Sequence, residues 1–224
     1  MNKAAHAARL CITVPTPIPD FTDNEKFKLT HVLESIITEH HETRLDVATG
    51  FFSPDIWRVI GQTFQNLNAF RLMIGSEPEV KAKRVGLNLQ SYYRKLLKET
   101  LESESLDAKN ARVIDDLIAF LKRESVEVRL FDDPFLHAKA YIFERTAIVG
   151  SSNFTFPGLM HNSELNLVQK SEWVTQALRR DWFEPFWARS EEYKADLIET
   201  LERSKFGAHQ YQPFDVFIKV LFEN

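Results

Sequence analysis

The sequence predicts an α/β domain built on a mixed, largely parallel sheet with helices on both faces, and three observations lead there. Short apolar, β-branched runs, RLDVATGFF (44–52), AFRLMIG (69–75) and VEVRLF (126–131), alternate with stretches of helical periodicity. Strands separated in this way pair in parallel through crossover helices. Apolar residues make up 44% of the 224-residue chain and charged residues 27%, the balance of a globular protein with a real core.

Taken in order, residues 1–21 contain PTPIP and read as an extended arm or edge strand. Thr22 and Glu25 have capping-box spacing, and Leu29, Val32, Leu33, Ile36 and Ile37 then share one helical face. His40 and His41 close this helix. Favourable charge or hydrogen bonding at a helix C-terminus explains them better than metal binding. The run at 44–52 is a strand entering a tight turn at Gly50, after which Ser53 and Pro54 suit the N-cap and first position of a helix facing the core with Ile56, Ile60, Phe64 and Leu67. AFRLMIG is the next strand. The polar loop 76–86 carries Lys81, Lys83 and Arg84, a candidate nucleic-acid-contacting patch or simply a solvated loop. Two helices follow, marked by Leu89, Tyr92, Tyr93, Leu96 and Leu97 and by Val113, Ile114, Leu117, Ile118 and Leu121, before the strand VEVRLF and the turn DDPF.

Three further strands are expected in HAKAYIF, TAIVG and ELNLV. After Lys170 the chain changes character. Ser171 caps a helix with Trp173, Val174, Ala177 and Leu178, and Trp182, Phe183, Phe186 and Trp187 come close behind. Aromatics at this density can stack on bases, but at helical spacing core or interface is the better reading. Glu191–Arg203 reads as a charged helix, and the tail ends in an amphipathic stretch with Phe214, Phe217, Ile218 and Leu221 on one side. The expected division is an arm (1–21), a catalytic domain (22–170) and a helical extension or linker (171–224).

Composition narrows the function classes. The formal charge of −4 and pI near 6.0 are not those of a protein that coats nucleic acid, so any anion-binding surface must be local. No apolar run approaches the ~18 residues of a membrane span. The single cysteine, Cys11, rules out an intrachain disulfide and fits a reducing cytoplasm. The N-terminal run MNKAAHAARLCITV is too short and broken for a secretory signal.

The chemistry concentrates between Phe135 and Val168. Alternation along a strand puts His137 and Lys139 on one face, the turn GSSN delivers Asn153, and ELNLV places Glu164 and Asn166 together, opposite Leu165 and Leu167. Imidazole can attack phosphorus or shuttle a proton near neutral pH. Lysine and an asparagine amide can hold phosphoryl oxygens, and a carboxylate on the other ring nitrogen would fix the tautomer. This set suits a phosphodiester. Asp132 and Asp133 beside His137 raise the alternative of a divalent-metal site, which would leave the lysine and the GSSN turn unexplained; no metal and no cofactor is expected.

HAKAYIFE, then GSSN, then NSELN resembles the HxKxxxxD…GSxN signature of the phospholipase D superfamily, most closely its single-motif nuclease branch. The resemblance covers the middle third of the chain, with Glu144 where the family has aspartate. It implies a phospholipase-D-like sheet and a metal-independent phosphodiesterase or endonuclease acting on nucleic acid, DNA more than RNA. His137 would form a phosphohistidine, Lys139 and Asn153 would bind phosphoryl oxygens with help from backbone N–H groups at Ser151 and Ser152, and Glu164 would orient His137. Glu144 would support Lys139 or the strand end. One motif per chain implies a homodimer in which two copies of His137 share one active site. The strand–glycine turn–capped helix unit and the tail resemble phospholipase-D-like domains attached to bacterial helicases, which suggests a downstream motor domain. The alternative is a catalytically weak binding or targeting module of such a helicase. Lipid phosphodiester chemistry, usually found with two motifs or membrane segments, is a third.

Overall fold

The computed structural model describes residues 15–75, 94, 97–98, 101, 108–131 and 136–204. Its centre is formed by β2 (Arg44–Thr49), β3 (Ala69–Gly75) and β4 (Val126–Phe131), which run parallel. The crossover from β2 to β3 carries a 3₁₀ turn (Pro54–Ile56) and α2 (Trp57–Phe64), and that from β3 to β4 carries α3 (Ala108–Leu121). Around this centre stand β1 (Phe21–Thr22), β5 (Ala140–Ile142), β6 (Ala147–Gly150), β7 (Asn166–Gln169) and β8 (Glu191–Glu192), giving one eight-stranded sheet in the order β1-β7-β6-β5-β2-β3-β4-β8. The expected mixed sheet is therefore present, with its parallel part confined to β2, β3 and β4. β5 pairs antiparallel with β6 because their tight link leaves no room for a crossover, and antiparallel with β2 because the chain enters β5 at the C-terminal end of the parallel strands.

Alternation splits the strand side chains between two cores, with helices on both faces. Val47, Leu72, Val128 and Tyr141 meet Leu33 and Ile36 of α1 (Leu29–Thr38), Ile60 of α2, Leu117 of α3 and Leu197 of α7 (Lys194–Glu202). Ala48, Met73, Phe131 and Ile142 meet Phe183 and Trp187. The β6–β7 connection carries α4 (Phe156–Met160), and these two aromatics come from a later helical run comprising α5 (Glu172–Ala177), a π-helical segment (Leu178–Phe183) and α6 (Glu184–Arg189). The aromatic cluster at 182–187 is thus largely core, with Trp182 and Phe186 partly buried against it, while Trp173 is exposed. Residues 171–204 share the body of the sheet, since β8 pairs with β4 and Tyr193 is fully buried.

This second face holds an ionic lock. Asp46, fully buried, receives Arg71 in a two-pronged contact (2.7 and 2.9 Å) and Arg179 at 2.7 Å. Arg71 also reaches Glu184 and lies over the Phe183 ring, tying α6 to the sheet. Burial pushes the Asp46 carboxyl up, but hydrogen bonds and charge from Arg71 and Arg179 outweigh it and hold the group below its usual range.

Two local expectations change. Thr22 does not cap α1. The Asp23 carboxylate takes the N–H groups of Glu25, Lys26 and Phe27, and Asn24 Oδ1 takes that of Leu29. Thr22 is instead a strand residue facing Asn166. Ser53 occupies the N-cap position of the 3₁₀ turn without a side-chain capping bond. His40 and His41 follow the end of α1, but the His40 ring lies 2.9 Å from Thr16 O of the preceding arm, while His41 takes a left-handed φ of 56° as Glu42 N closes back on Ile36 O.

Candidate active site

The link from β4 to β5 must cross the C-terminal ends of β3 and β2 to reach its place in the sheet. Leu136 lies on that crossing. Its carbonyl oxygen would stand 2.3 Å from a Cβ on Gly75 and 3.4 Å from one on Gly50. A side chain on Gly75 would collide with this backbone, so the glycine is what lets the crossing pass so close. For the same reason His137 and Lys139 precede the strand instead of lying within it, as HAKAYIF suggested: β5 begins at Ala140.

His137 is exposed. Lys139 is 5% exposed, and its ammonium donates to His137 O at 2.9 Å. Pairing continues one step beyond β5, since Gly150 N donates to Lys139 O (3.1 Å). Gly150 in turn pairs with Asn166, and Asn166 with Thr22. Register also sets Ala48 opposite Ala140, which brings the end of β2 alongside Lys139. Asn153 reaches the same place from the GSSN turn. Around the Cα of Gly50, an added Cβ would touch Asn153 Oδ1 at 3.4 Å and Lys139 Nζ at 3.5 Å. The structure therefore brings Lys139 and Asn153 together over one glycine, beside His137.

Asn153 is oriented by the backbone it faces. Its Oδ1 accepts from Phe51 N (3.2 Å) and lies 3.3 Å from the Thr49 hydroxyl. The Thr49 hydroxyl donates to Phe51 O (2.8 Å) and accepts from Phe154 N (2.9 Å). With the oxygen so engaged, the amide nitrogen and its two donors turn the other way. The turn itself is closed. Ser151 N donates to Leu165 O (3.2 Å) and Ser152 N to Asn166 Oδ1 (3.1 Å), so these N–H groups, expected to help bind phosphoryl oxygens, are spent within the fold. Glu164 accepts from the Ser151 hydroxyl and from Asn162 Nδ2. Tyr141, fully buried, donates to Ser152 O at 3.0 Å, and burial first, then the Glu164 charge, raises its phenol well above the usual range.

Glu144 lies at the other end of β2. Its Oε1 accepts from Thr43 N (3.1 Å) and Arg44 N (2.9 Å). Glu42, 2% exposed, answers from the opposite side by taking Arg145 N, Thr146 N and the Thr146 hydroxyl. The two glutamates clasp the β5–β6 link to the start of β2. Of the two roles expected for Glu144, the structure shows support of the strand end and not of Lys139.

Among the described residues no group of three or more His, Cys, Asp or Glu side chains is placed to hold a metal ion, and no helix is long and apolar enough to cross a membrane. Lys81, Lys83, Arg84, Asp132, Asp133, Cys11 and the 205–224 tail lie outside the described residues. Sequence reasoning passed over Thr49 and Glu42 entirely, and saw Asn166 only as a neighbour on the Glu164 face and Gly50 only as a turn.

A family model described as the cardiolipin synthase, PLD-like domain matches residues 41–187. No curated protein sequence matches the chain. Among solved structures, Nuc from Salmonella typhimurium, a phospholipase D family member, is 15% identical, with 77% of this chain and 95% of that chain covered and a TM-score of 0.49. The phosphatidylserine synthase of Haemophilus influenzae is 13% identical over 93% of this chain and 47% of that one, with a TM-score of 0.54, a likeness of fold.

Proposed function

The chain belongs to the phospholipase-D-like family, and from that premise we propose that it is a metal-independent phosphodiesterase that cleaves nucleic acid through a phosphohistidine. The observation that carries this is the convergence of Lys139 and Asn153 over Gly50 beside the exposed His137. A His137 nitrogen attacks phosphorus and the P–O bond to the leaving oxygen breaks. Lys139 and the Asn153 amide nitrogen hold the non-bridging oxygens, where charge builds in the transition state. Glu164 orients the imidazole. The leaving oxygen needs a proton, and the motif offers one histidine per chain, so the reading includes a symmetric dimer in which His137 of a second copy is the acid. That histidine, now neutral, takes a proton from the water that attacks phosphorus and breaks the P–N bond, which releases the phosphate and restores both residues. Nucleic acid as substrate rests on the resemblance to the single-motif nucleases. A downstream helicase domain and a cytoplasmic setting belong to the same reading.

The test is hydrolysis of plasmid DNA, single-stranded DNA and anionic phospholipid vesicles with EDTA present, for wild type and His137→Ala, with mass by light scattering. Nucleic-acid cleavage that survives chelation and vanishes in His137→Ala is expected. Cleavage that requires Mg²⁺ and persists in His137→Ala overturns the mechanism, and turnover of lipid alone overturns the substrate class. In a mixture with excess His137→Ala chains, heterodimers that keep full activity per intact His137 would refute the shared site.

A further inference from the structure

The family match begins at residue 41, yet the catalytic turn is tied to side chains that precede it. Asn166 is the knot. It is 1% exposed, its Oδ1 accepts from Ser152 N, and its Nδ2 donates to Ser152 Oγ (2.9 Å) and Thr22 Oγ1 (2.9 Å). An amide nitrogen has two hydrogens, and both are used. Asn166 also lies directly across Gly150, where a Cβ would stand 2.4 Å from its Oδ1. Ser152, fully buried, is thus gripped by main chain and side chain, and the next residue is Asn153.

The middle of the same segment is held by Asn24. This residue is 8% exposed and has a left-handed φ of 61°, a conformation uncommon outside glycine that asparagine tolerates best. Its Nδ2 donates to Gly158 O (2.8 Å) and Asn162 O (3.1 Å), while its Oδ1 caps Leu29 N (3.2 Å). The Thr30 hydroxyl adds a contact to Met160 S at 3.1 Å. From Ser152 to Asn166, the stretch that carries Asn153 and Glu164 is therefore fastened to residues 22–30 through Thr22, Asn24 and Thr30.

We propose that Thr22 and Asn24 are positioning residues of the active site: the segment before the family domain sets where Asn153 and Glu164 stand. The inference rests on the phosphodiesterase reading for its kinetic consequence, though not for its structural one. Without the Thr22 hydroxyl, one buried N–H of Asn166 loses its acceptor, and the amide must turn to find another. Turning releases Ser152, and Asn153 moves with it. A misplacement of ~1 Å in a catalytic group costs roughly a hundredfold in rate.

The experiment uses the full chain with Thr22→Val, which keeps the shape and removes the hydroxyl, and Thr22→Ser, which keeps the hydroxyl. Asn24→Gly accommodates the left-handed backbone and deletes the side chain. Amide hydrogen exchange is read without substrate at Ser152 and Leu165, and at α3 and β3 as references; kcat and KM are measured on a DNA substrate. In Thr22→Val and Asn24→Gly, exchange at Ser152 and Leu165 should speed up at least ~10-fold with the references unchanged, while kcat falls ~10- to 100-fold at nearly constant KM. Thr22→Ser should restore both. Unchanged exchange in Thr22→Val, loosening spread evenly over every segment, or a Thr22→Ser variant no better than Thr22→Val overturns the proposal. Should the wild type cleave no phosphodiester, the enzymatic reading fails, and the exchange data alone still decide this one.

Discussion

Replacing Gly50 by alanine separates the proposed active site from the fold. An added Cβ meets Asn153 Oδ1 and Leu136 O at 3.4 Å and Lys139 Nζ at 3.5 Å, all ordinary contact distances, and the backbone is not in the left-handed region. The methyl group fits. Alanine also restricts the unfolded chain, worth about 0.4–1 kcal/mol of stabilisation at a compatible glycine. It takes up the space over Gly50 that the Lys139 ammonium faces, and a methyl is about as large as a phosphoryl oxygen. If that oxygen must approach Lys139 there, the variant loses a charge-assisted hydrogen bond of about 1.5–3 kcal/mol, or roughly ten- to a hundredfold in kcat/KM. The assay pairs thermal melting with hydrolysis of an activated aryl phosphodiester. Gly150→Ala is the contrast, because its Cβ would stand 2.3 Å from Leu165 O. Overpacking against backbone costs about 1–3 kcal/mol and should lower Tm by about 2–12 °C. A Gly50→Ala enzyme with wild-type kcat/KM, or one whose loss of activity tracks a fall in Tm, would refute the reasoning.

Two further predictions concern stability. Asp46→Asn leaves Arg179 buried without its counter-charge and Arg71 with Glu184 alone, and should cost about 3–5 kcal/mol in denaturant unfolding. The folded-state carboxyl is depressed, so its contribution is present above the unfolded value near 3.9 and is lost as pH falls through the lower folded value. The stability gap between wild type and Asp46→Asn should therefore be full at pH 7 and shrink below about pH 4; a gap that widens in acid contradicts the lock. Glu144→Ala removes the acceptor for Thr43 N and Arg44 N and should destabilise by about 1–3 kcal/mol with kcat unchanged. A large fall in kcat at constant Tm would return Glu144 to the active site.

The strands of the parallel centre were legible because each is a local statement. AFRLMIG and VEVRLF are apolar runs with strand propensity, and they appear over the same residues, Ala69–Gly75 and Val126–Phe131. The apolar face of α1 and the core role of Phe183 and Trp187 were legible for the same reason. What local pattern could not show is the path between elements. HAKAYIF has the composition of one strand, but its first three residues are claimed by a crossing over the ends of β3 and β2, which follows from strand order and from nothing in the heptapeptide. The Thr22–Glu25 spacing fits a capping box, but the Thr22 hydroxyl faces Asn166, 144 residues away, while Asp23 beside it caps the turn.

The site divides in the same way. His137, Lys139, Asn153 and Glu164 stand out because a charged or amide side chain in an apolar stretch needs a reason. Thr49, Gly50, Thr22 and Asn166 do not stand out, since small polar residues and glycine are ordinary at strand ends and turns. Yet these residues hold the geometry: Thr49 and Phe51 flank the Asn153 oxygen, Gly50 leaves the space between Lys139 and Asn153, and Asn166 fixes the turn. They come from three separate stretches, residues 20–24, 46–54 and 150–166, joined only by the fold. A motif therefore marks the groups that carry charge, while their spacing is set elsewhere. Transplanting HxK, GSSN and SELN into another sheet without a glycine at the end of the neighbouring strand, and without an anchor for the second asparagine, should reproduce the signature and not the convergence.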